Sequence, residues 1–407
     1  MRKRSKGALL TLLALVVAAL ALAALFTLPA PKDPDRPGRL DGLRSAAAHL
    51  QRKGIRADFA QDYVGARALL HHRDPYPVAG VAFDEIGLDW PLRNRSTHPP
   101  TAFLFALPLA SLTWPHAAAV WAAAMLAAFA LVALAFGAPM GAAIAIAPLA
   151  LLWPPAAWSL GQLTPIWLLG AALAWRWRDR PFLAGLAVGA ASLTKLLPIL
   201  MLVAFLLRRR WAALAGCAVV WGSAVLLLLV LNPSSITRFV EVERTEGREQ
   251  AARADNAGLL ELAWHRLGTA GLVGALALVV AVGAQAWRRT TSEGSLRFEA
   301  FSAWVWLSVA LLPIVWLYSL LPLAPTLLGA LRTRLLLPGL AAGAALLIPV
   351  AIQPFGTDSA TLLAVSIALT GVATLFGANN RSLGTRVRRW SLRSPPPDHS
   401  DGRSPTR

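Results

Sequence analysis

The stretch IRADFAQDYVGARALLHHRDPY, residues 55–76, holds two carboxylates one helical turn apart, Asp58 and Asp62. If ADFAQDYVGARALL is helical, the two acids share a face, and Tyr63, Ala66 and Leu70 form a neighbouring stripe, an amphipathic helix at a surface. One reading makes Asp58 a helix cap and pairs Asp62 with Arg67 or with water. The other makes one carboxylate a general base at a water–lipid boundary, where partial burial raises its pKa and makes proton abstraction useful.

Further along, Lys195 stands in LAVGAASLTKLLPILMLVAFLLRRRW with apolar residues on both sides. An ammonium at that depth is costly unless it snorkels to headgroups or meets an anion, and a phosphate or carboxylate would suit it. Pro198, three residues on, implies a broken helix whose backbone lines a cavity. His98 precedes a Pro-Pro pair that fixes an extended lead into the next helix. Gly161-Gln162 sits before an apolar run, where the amide can bond a sugar hydroxyl or cap the helix. Trp304, Trp306, Trp316 and Tyr318 suit an aromatic belt, although such rings also stack on sugars.

The elements that must carry these residues are membrane helices. Of 407 residues, 56% are apolar and 15% charged, well under the quarter charged that soluble chains carry. Apolar runs fall near 7–29, 100–114, 115–136, 139–156, 163–175, 182–194, 196–207, 211–231, 269–287, 299–320, 321–331, 335–352 and 360–377. They are continuous rather than alternating, so helices and not a barrel are expected. Three of them, 100–114, 196–207 and 321–331, are short for a crossing.

Arg2, Lys3, Arg4 and Lys6 place the N-terminus in the cytoplasm, and residues 30–99 then form an outside loop. The first apolar run exceeds a signal-peptide core, so residues 1–29 are read as a retained first span, with cleavage as the alternative. RWRDR at 176–180, RRR at 208–210, WRR at 287–289, and Arg332 with Arg334 mark cytoplasmic turns. Three crossings between residues 100 and 156 would put residue 161 on the wrong side for RWRDR, so one of those runs is re-entrant, interfacial or fused. About twelve crossings result.

Four segments follow: 1–29; the loop 30–99; a helical domain 100–377 with a second outside loop at 232–265; and a basic, disordered cytoplasmic tail at 378–407. In the second loop, acids and bases recur at three- and four-residue spacing, Glu241 with Arg244 and Arg248, as on a surface helix.

The net charge of +18 is spread over short turns and the tail. That fits orientation in a membrane, not nucleic-acid binding. The single cysteine, Cys217, excludes an internal disulfide and a cysteine metal site. Phosphate-binding glycine motifs are absent, and with them a nucleotide-using domain.

Taken together, residues 55–325 resemble glycosyltransferase family 87, membrane-embedded GT-C enzymes similar to polyprenyl-phosphate-mannose-dependent α-1,2-mannosyltransferases. The resemblance rests on DFAQDY and RDPY in the first loop, His98-Pro99-Pro100, Gly161-Gln162, and most specifically on LAGLAVGAASLTKLLPIL followed by LLRRRW. Asn256 in DNAGLLEL matches loosely. LPIVWLYS departs from the pattern: Pro313 and Trp316 match, while Leu312, Val315 and Tyr318 replace the two serines and the histidine.

The resemblance implies an all-α GT-C fold in the cell membrane with its active site outside. It implies transfer of a hexose, mannose first, from a polyprenyl-phosphate donor to a lipid- or glycan-linked hydroxyl, with inversion. Asp58 heads the matched motif and takes the general-base role; Asp62 is second. Lys195 is the first group for the donor phosphate, with Arg67 and His98 behind it. Gln162, Asn256, Trp316 and Tyr318 are the sugar-binding candidates, and no metal or cofactor is called for. A transporter or flippase of lipid-linked sugars is the competing expectation. An inactive structural relative is another, to which the altered LPIVWLYS lends weight.

Overall fold

The computed structural model describes residues 58–87, 95–136, 161–252, 256, 258–292, 296–313, 315 and 323, with 365, 367–372 and 375. Residues 1–57, the run 7–29 included, Trp316, Tyr318 and the tail lie outside the described residues. Among the described residues all regular structure is helical.

The first loop supplies α1 (Asp58–Leu70) and the short α2 (Ala79–Asp84). Next come α3 (Pro100–Ala106), prolonged by a 3-10 turn at Leu107–Leu109, and α4 (Trp114–Ala135). α5 (Thr164–Arg176) and α6 (Pro181–Thr194) follow. A 3-10 stretch, Leu197–Leu202, runs into α7 (Val203–Leu206) and then α8 (Trp211–Leu231). The second loop gives α9 (Ser235–Val242), a π-helical turn at Glu243–Gly247 and α10 (Arg248–Ala251). Last are α11 (Leu259–Thr291) and α12 (Phe298–Ala310). Proline stands at the first or second position of α3, α4, α5 and α6, where its missing N–H would have had no helical partner.

Three helices, α4, α8 and α11, are long and apolar enough to cross a membrane. α11 is two pieces: Gly268 breaks it with a φ of +61°, so its apolar part begins where the run 269–287 does. α3, with 7 residues, rises only about 10 Å against about 30 Å of hydrocarbon. Of the three runs between 100 and 156, the first is therefore not a crossing by itself. The run 196–207 is a 3-10 stretch and one helical turn, which returns the chain from the Lys195 end to Arg208 and Arg210.

At the centre α6 lies between α5 and α8, and small residues let the backbones touch. A side-chain carbon on Gly185 would collide with the carbonyl of Ala213, and one on Gly216 with that of Phe182. Membrane helices associate through such close approach because hydrocarbon offers no hydrophobic drive between them. Cys217 is buried in this core at 3% exposure.

The basic turns meet at one end of the bundle. Arg210 donates to the carbonyl of Arg178 and approaches Asp179. Arg208 donates to Thr290 and Ser292 carbonyls at 2.8 and 3.3 Å. Arg178 donates to the Trp175 carbonyl and lies over the Trp175 ring. Arg178 and Arg208 thus sit on last-turn carbonyls of α5 and α11, which no helical N–H can satisfy and which carry the negative end of the dipole, while Arg210 holds the turn after α5.

At the opposite end, where α6 and α8 finish, the first loop docks. Phe59 of α1 stacks on Trp121 at 4.5 Å and on Trp114 at 5.6 Å. The Tyr63 hydroxyl donates to the Leu112 carbonyl at 2.6 Å, and Gly65 presses on the Phe103 ring. The helix expected over 58–70 is present, but its buried face differs from the expected stripe. Phe59, Tyr63, Ala66 and Leu69 are buried with Asp62 itself, while Leu70 is 40% exposed. The aromatic residues at the start of α4 take the α1 face that could otherwise have stayed at a surface.

The second loop is a helical rod with different ion pairs from those expected. Glu241 accepts from Arg238 at 2.6 Å, not from Arg244 or Arg248, and Arg238 also reaches Asp74 at 3.0 Å. The tertiary partner in the first loop draws Arg238 and Glu241 together on the face that meets it.

Candidate functional site

His98 is the best-held residue of the cluster. Its Nδ1 and Asp62 Oδ1 are 2.7 Å apart, its backbone N–H donates to Ser96 Oγ at 3.2 Å, and its carbonyl accepts from the Tyr76 hydroxyl at 3.0 Å. Tyr76 is buried and packs on Phe103 and Phe239; its own N–H donates to Asp74 Oδ1 at 3.0 Å. The RDPY turn thus fixes the imidazole from below: Asp74 makes the turn, Arg238 pins Asp74, and Tyr76 holds the His98 backbone.

Lys195 reaches the same place from the other side. α6 ends at Thr194, Lys195 is extended (φ −153°, ψ 140°), and the chain leaves as a 3-10 helix through Pro198. The expected break is there. Thr101 Oγ1 donates to the Leu193 carbonyl at 2.7 Å, so α3, which follows His98, is bolted to the end of α6 next to Lys195.

Asp58 opens α1 and is half-buried, whereas Asp62 is fully buried. Asp58 feels the charges of His98, Asp62 and Lys195. Burial pushes its carboxyl up from 3.8 to about 6, with Asp62 adding to the rise and His98 and Lys195 opposing it. Burial alone would lower the His98 pKa, but the Asp62 carboxylate, by its charge and its hydrogen bond, raises it overall. Among the described residues Asp62 Oδ2 has no hydrogen-bond partner. A half-buried carboxylate titrating near 6, an imidazole oriented by a buried acid, and a lysine together can remove a proton on one side and receive an anion on the other.

The two acids that spacing left equivalent are separated by their surroundings. Asp62 pairs with His98, not with Arg67 or solvent. Arg67 is exposed and lies over the Tyr63 ring at 5.7 Å, away from the charges that act on Asp58, so it is not brought to the cluster. Gln162 is 1% exposed, and among the described residues its Nε2 has no hydrogen-bond partner. Its turn is tied to α1 through Trp121, which donates to the Gly161 carbonyl at 2.9 Å and stacks on Phe59.

Asn256 has a different place from the expected sugar contact. Its Nδ2 donates to the Ala251 and Pro313 carbonyls, both at 2.8 Å, and its Oδ1 accepts from the N–H groups of Gly258 and Val315. Both donors and both lone pairs are used, so Asn256 braces the second loop against the chain after α12. Trp316 and Tyr318 lie outside the described residues.

Sequence reasoning missed the tether made by Tyr76 and a further acid, Glu243, which is half-buried and lies in electrostatic range of His98. Burial raises the Glu243 pKa, and the facing imidazole lowers it in part. No local pattern marks Glu243 apart from the other charges of that loop. Among the described residues no group of three His, Cys, Asp or Glu is spaced to hold a metal ion.

The model of glycosyltransferase family 87 matches residues 97–313. That is just over half the chain and includes His98, Gln162, Lys195 and Asn256; Asp58 and Asp62 precede it. Neither the comparison with curated proteins nor that with solved structures gave a match. The matched span covers α3 through α12, the apolar helices and the Lys195 break included, and the chain belongs to glycosyltransferase family 87, a family of membrane glycosyltransferases.

Proposed function

We propose that this glycosyltransferase moves a hexose, mannose first, from a polyprenyl-phosphate donor to a hydroxyl of an envelope lipid or glycan, on the outer face of the cell membrane. The single observation that carries this reading is the half-buried Asp58, with its carboxyl at about 6, facing His98 and Lys195. At neutral pH such an acid is ionised yet basic enough to accept a hydroxyl proton.

Asp58 takes the proton of the acceptor hydroxyl as its oxygen bonds to the anomeric carbon. The bond from that carbon to the lipid phosphate breaks on the opposite face, so the centre inverts. The departing phosphate gains charge, which Lys195 and protonated His98 stabilise. Asp62 orients His98 through Nδ1 and leaves Nε2 for the phosphate. Gln162, with a buried free N–H pair, is the sugar contact within this arrangement. The basic turns at the far end of the bundle support an outward-facing site.

The test is transfer from synthetic polyprenyl-phosphate-mannose to membrane extract by wild type, Asp58→Asn and Asp62→Asn. Asp58→Asn is expected to lose about 10²–10⁴-fold in rate with an unchanged melting profile, and Asp62→Asn to lose less. A flippase instead would tolerate Asp58→Asn and move the lipid without releasing polyprenyl phosphate.

A further inference from the structure

The second loop is not a plain surface helix: the π-turn Glu243–Gly247 interrupts the rod between α9 and α10. An extra residue in one turn re-aims the side chains around it and recurs at functional sites. Gly247 is buried, and a side-chain carbon there would collide with the Glu243 carboxylate. The missing side chain is thus what gives that carboxylate its seat. Two further contacts fix the rod over the site. Val242 is buried in the apolar cluster that holds Tyr63 and Tyr76, and Thr97, next to His98, donates to Gln250 Oε1 at 3.1 Å.

Glu243 acts on His98 and on Tyr76, whereas the acid that acts on Lys195 is Asp58. No described residue donates a hydrogen bond to Glu243. A carboxylate repels an anion, so the donor phosphate belongs on the Lys195 side of the imidazole, and the groups that suit Glu243 are hydrogen-bond donors such as hydroxyls.

We infer that Glu243, seated over Gly247 on the His98–Tyr76 side of the site, accepts hydrogen bonds from the hydroxyls of a neutral, polyhydroxylated acceptor and sets its position. This rests on the transferase reading above and adds the acceptor subsite to it. Glu243 is a specificity residue rather than a base, because the transferase reading already gives the acceptor proton to Asp58.

The experiment measures transfer from polyprenyl-phosphate-mannose to glycolipids of membrane extract, varying each substrate in turn, with wild type, Asp58→Asn, Glu243→Gln and Gly247→Ala reconstituted in lipid. Donor consumption by wild type and not by Asp58→Asn upholds the transferase reading on its own. Given that, Glu243→Gln and Gly247→Ala are expected to raise the KM for acceptor about 10- to 100-fold and leave that for donor unchanged. Melting profiles identify variants that fail to fold, and Glu243→Gln, which keeps the side-chain shape, guards against that outcome. An unchanged acceptor KM, or a rise in donor KM instead, overturns the inference while the transferase reading stands. No donor consumption by wild type overturns both.

Discussion

The two ends of α6 hold charges in opposite ways. At the Pro181 end, Arg178, Arg208 and Arg210 donate to backbone carbonyls, so each cation is matched by main-chain oxygens, and the acid nearby, Asp179, is exposed. At the Thr194 end the charges face one another: Asp58 and His98 each feel the charges of Asp62 and Lys195, and among the described residues Asp62 Oδ2 has no hydrogen-bond partner. The first arrangement ties down turns. The second leaves a buried carboxylate oxygen unmatched where a ligand could complete it, which is costly for folding alone and useful for chemistry.

That contrast breaks most readily at Lys195. Lys195→Gln is expected to slow transfer about 10²–10³-fold, the usual effect of deleting one donor to a developing anion, with no change in melting temperature. A lower melting temperature and an unchanged rate per folded molecule would place Lys195 with the structural cations instead.

A second effect is in pH. With Asp58 as base, the rate is expected to fall about tenfold per unit below pH about 6, read from initial rates in lipid across pH 4–8. Stability runs the other way. Asp58 binds its proton more tightly folded than unfolded, so its contribution is full below 3.8 and is lost as pH rises to about 6. A rate independent of pH through that window would remove Asp58 from the base role.

The smallest effect belongs to the basic end. Arg210→Ala removes the bond to the Arg178 carbonyl and should cost about 1.5–3 kcal/mol, seen as a lower melting temperature. Activity per folded molecule is expected to stay the same. A change in acceptor or donor KM there would erase the division between the two ends.

Much of this was legible in the sequence because it rests on local patterns. Continuous apolar runs announced the helices, prolines their starts, and the lysine before Pro198 the break at the end of α6. Arginine clusters marked one end of the bundle before any contact was known. What stayed hidden depended on distant pairs. Spacing made Asp58 and Asp62 equals; only His98, 36 positions from Asp62, separates them. Asn256 looked like a ligand for sugar because a free and a saturated amide read alike in one dimension. Glu243 was lost among neighbours of the same charge, since a π-turn has no sequence signature and aims a side chain that a regular helix would turn elsewhere. The stripe through Leu70 failed for the same reason: aromatic residues at the start of α4 decided which face of α1 is covered.

The chain's one thiol, Cys217, lies sealed in the core that holds the α6–α8 seam. A reagent in water cannot reach it, so the natural protein is already a silent background for chemical labelling. Thr245→Cys in the second loop and Arg180→Cys at the basic turn both add an exposed thiol, one at each end of the bundle. In intact cells, a maleimide that does not pass through lipid would read out which end faces the medium, with no need to strip a native cysteine first.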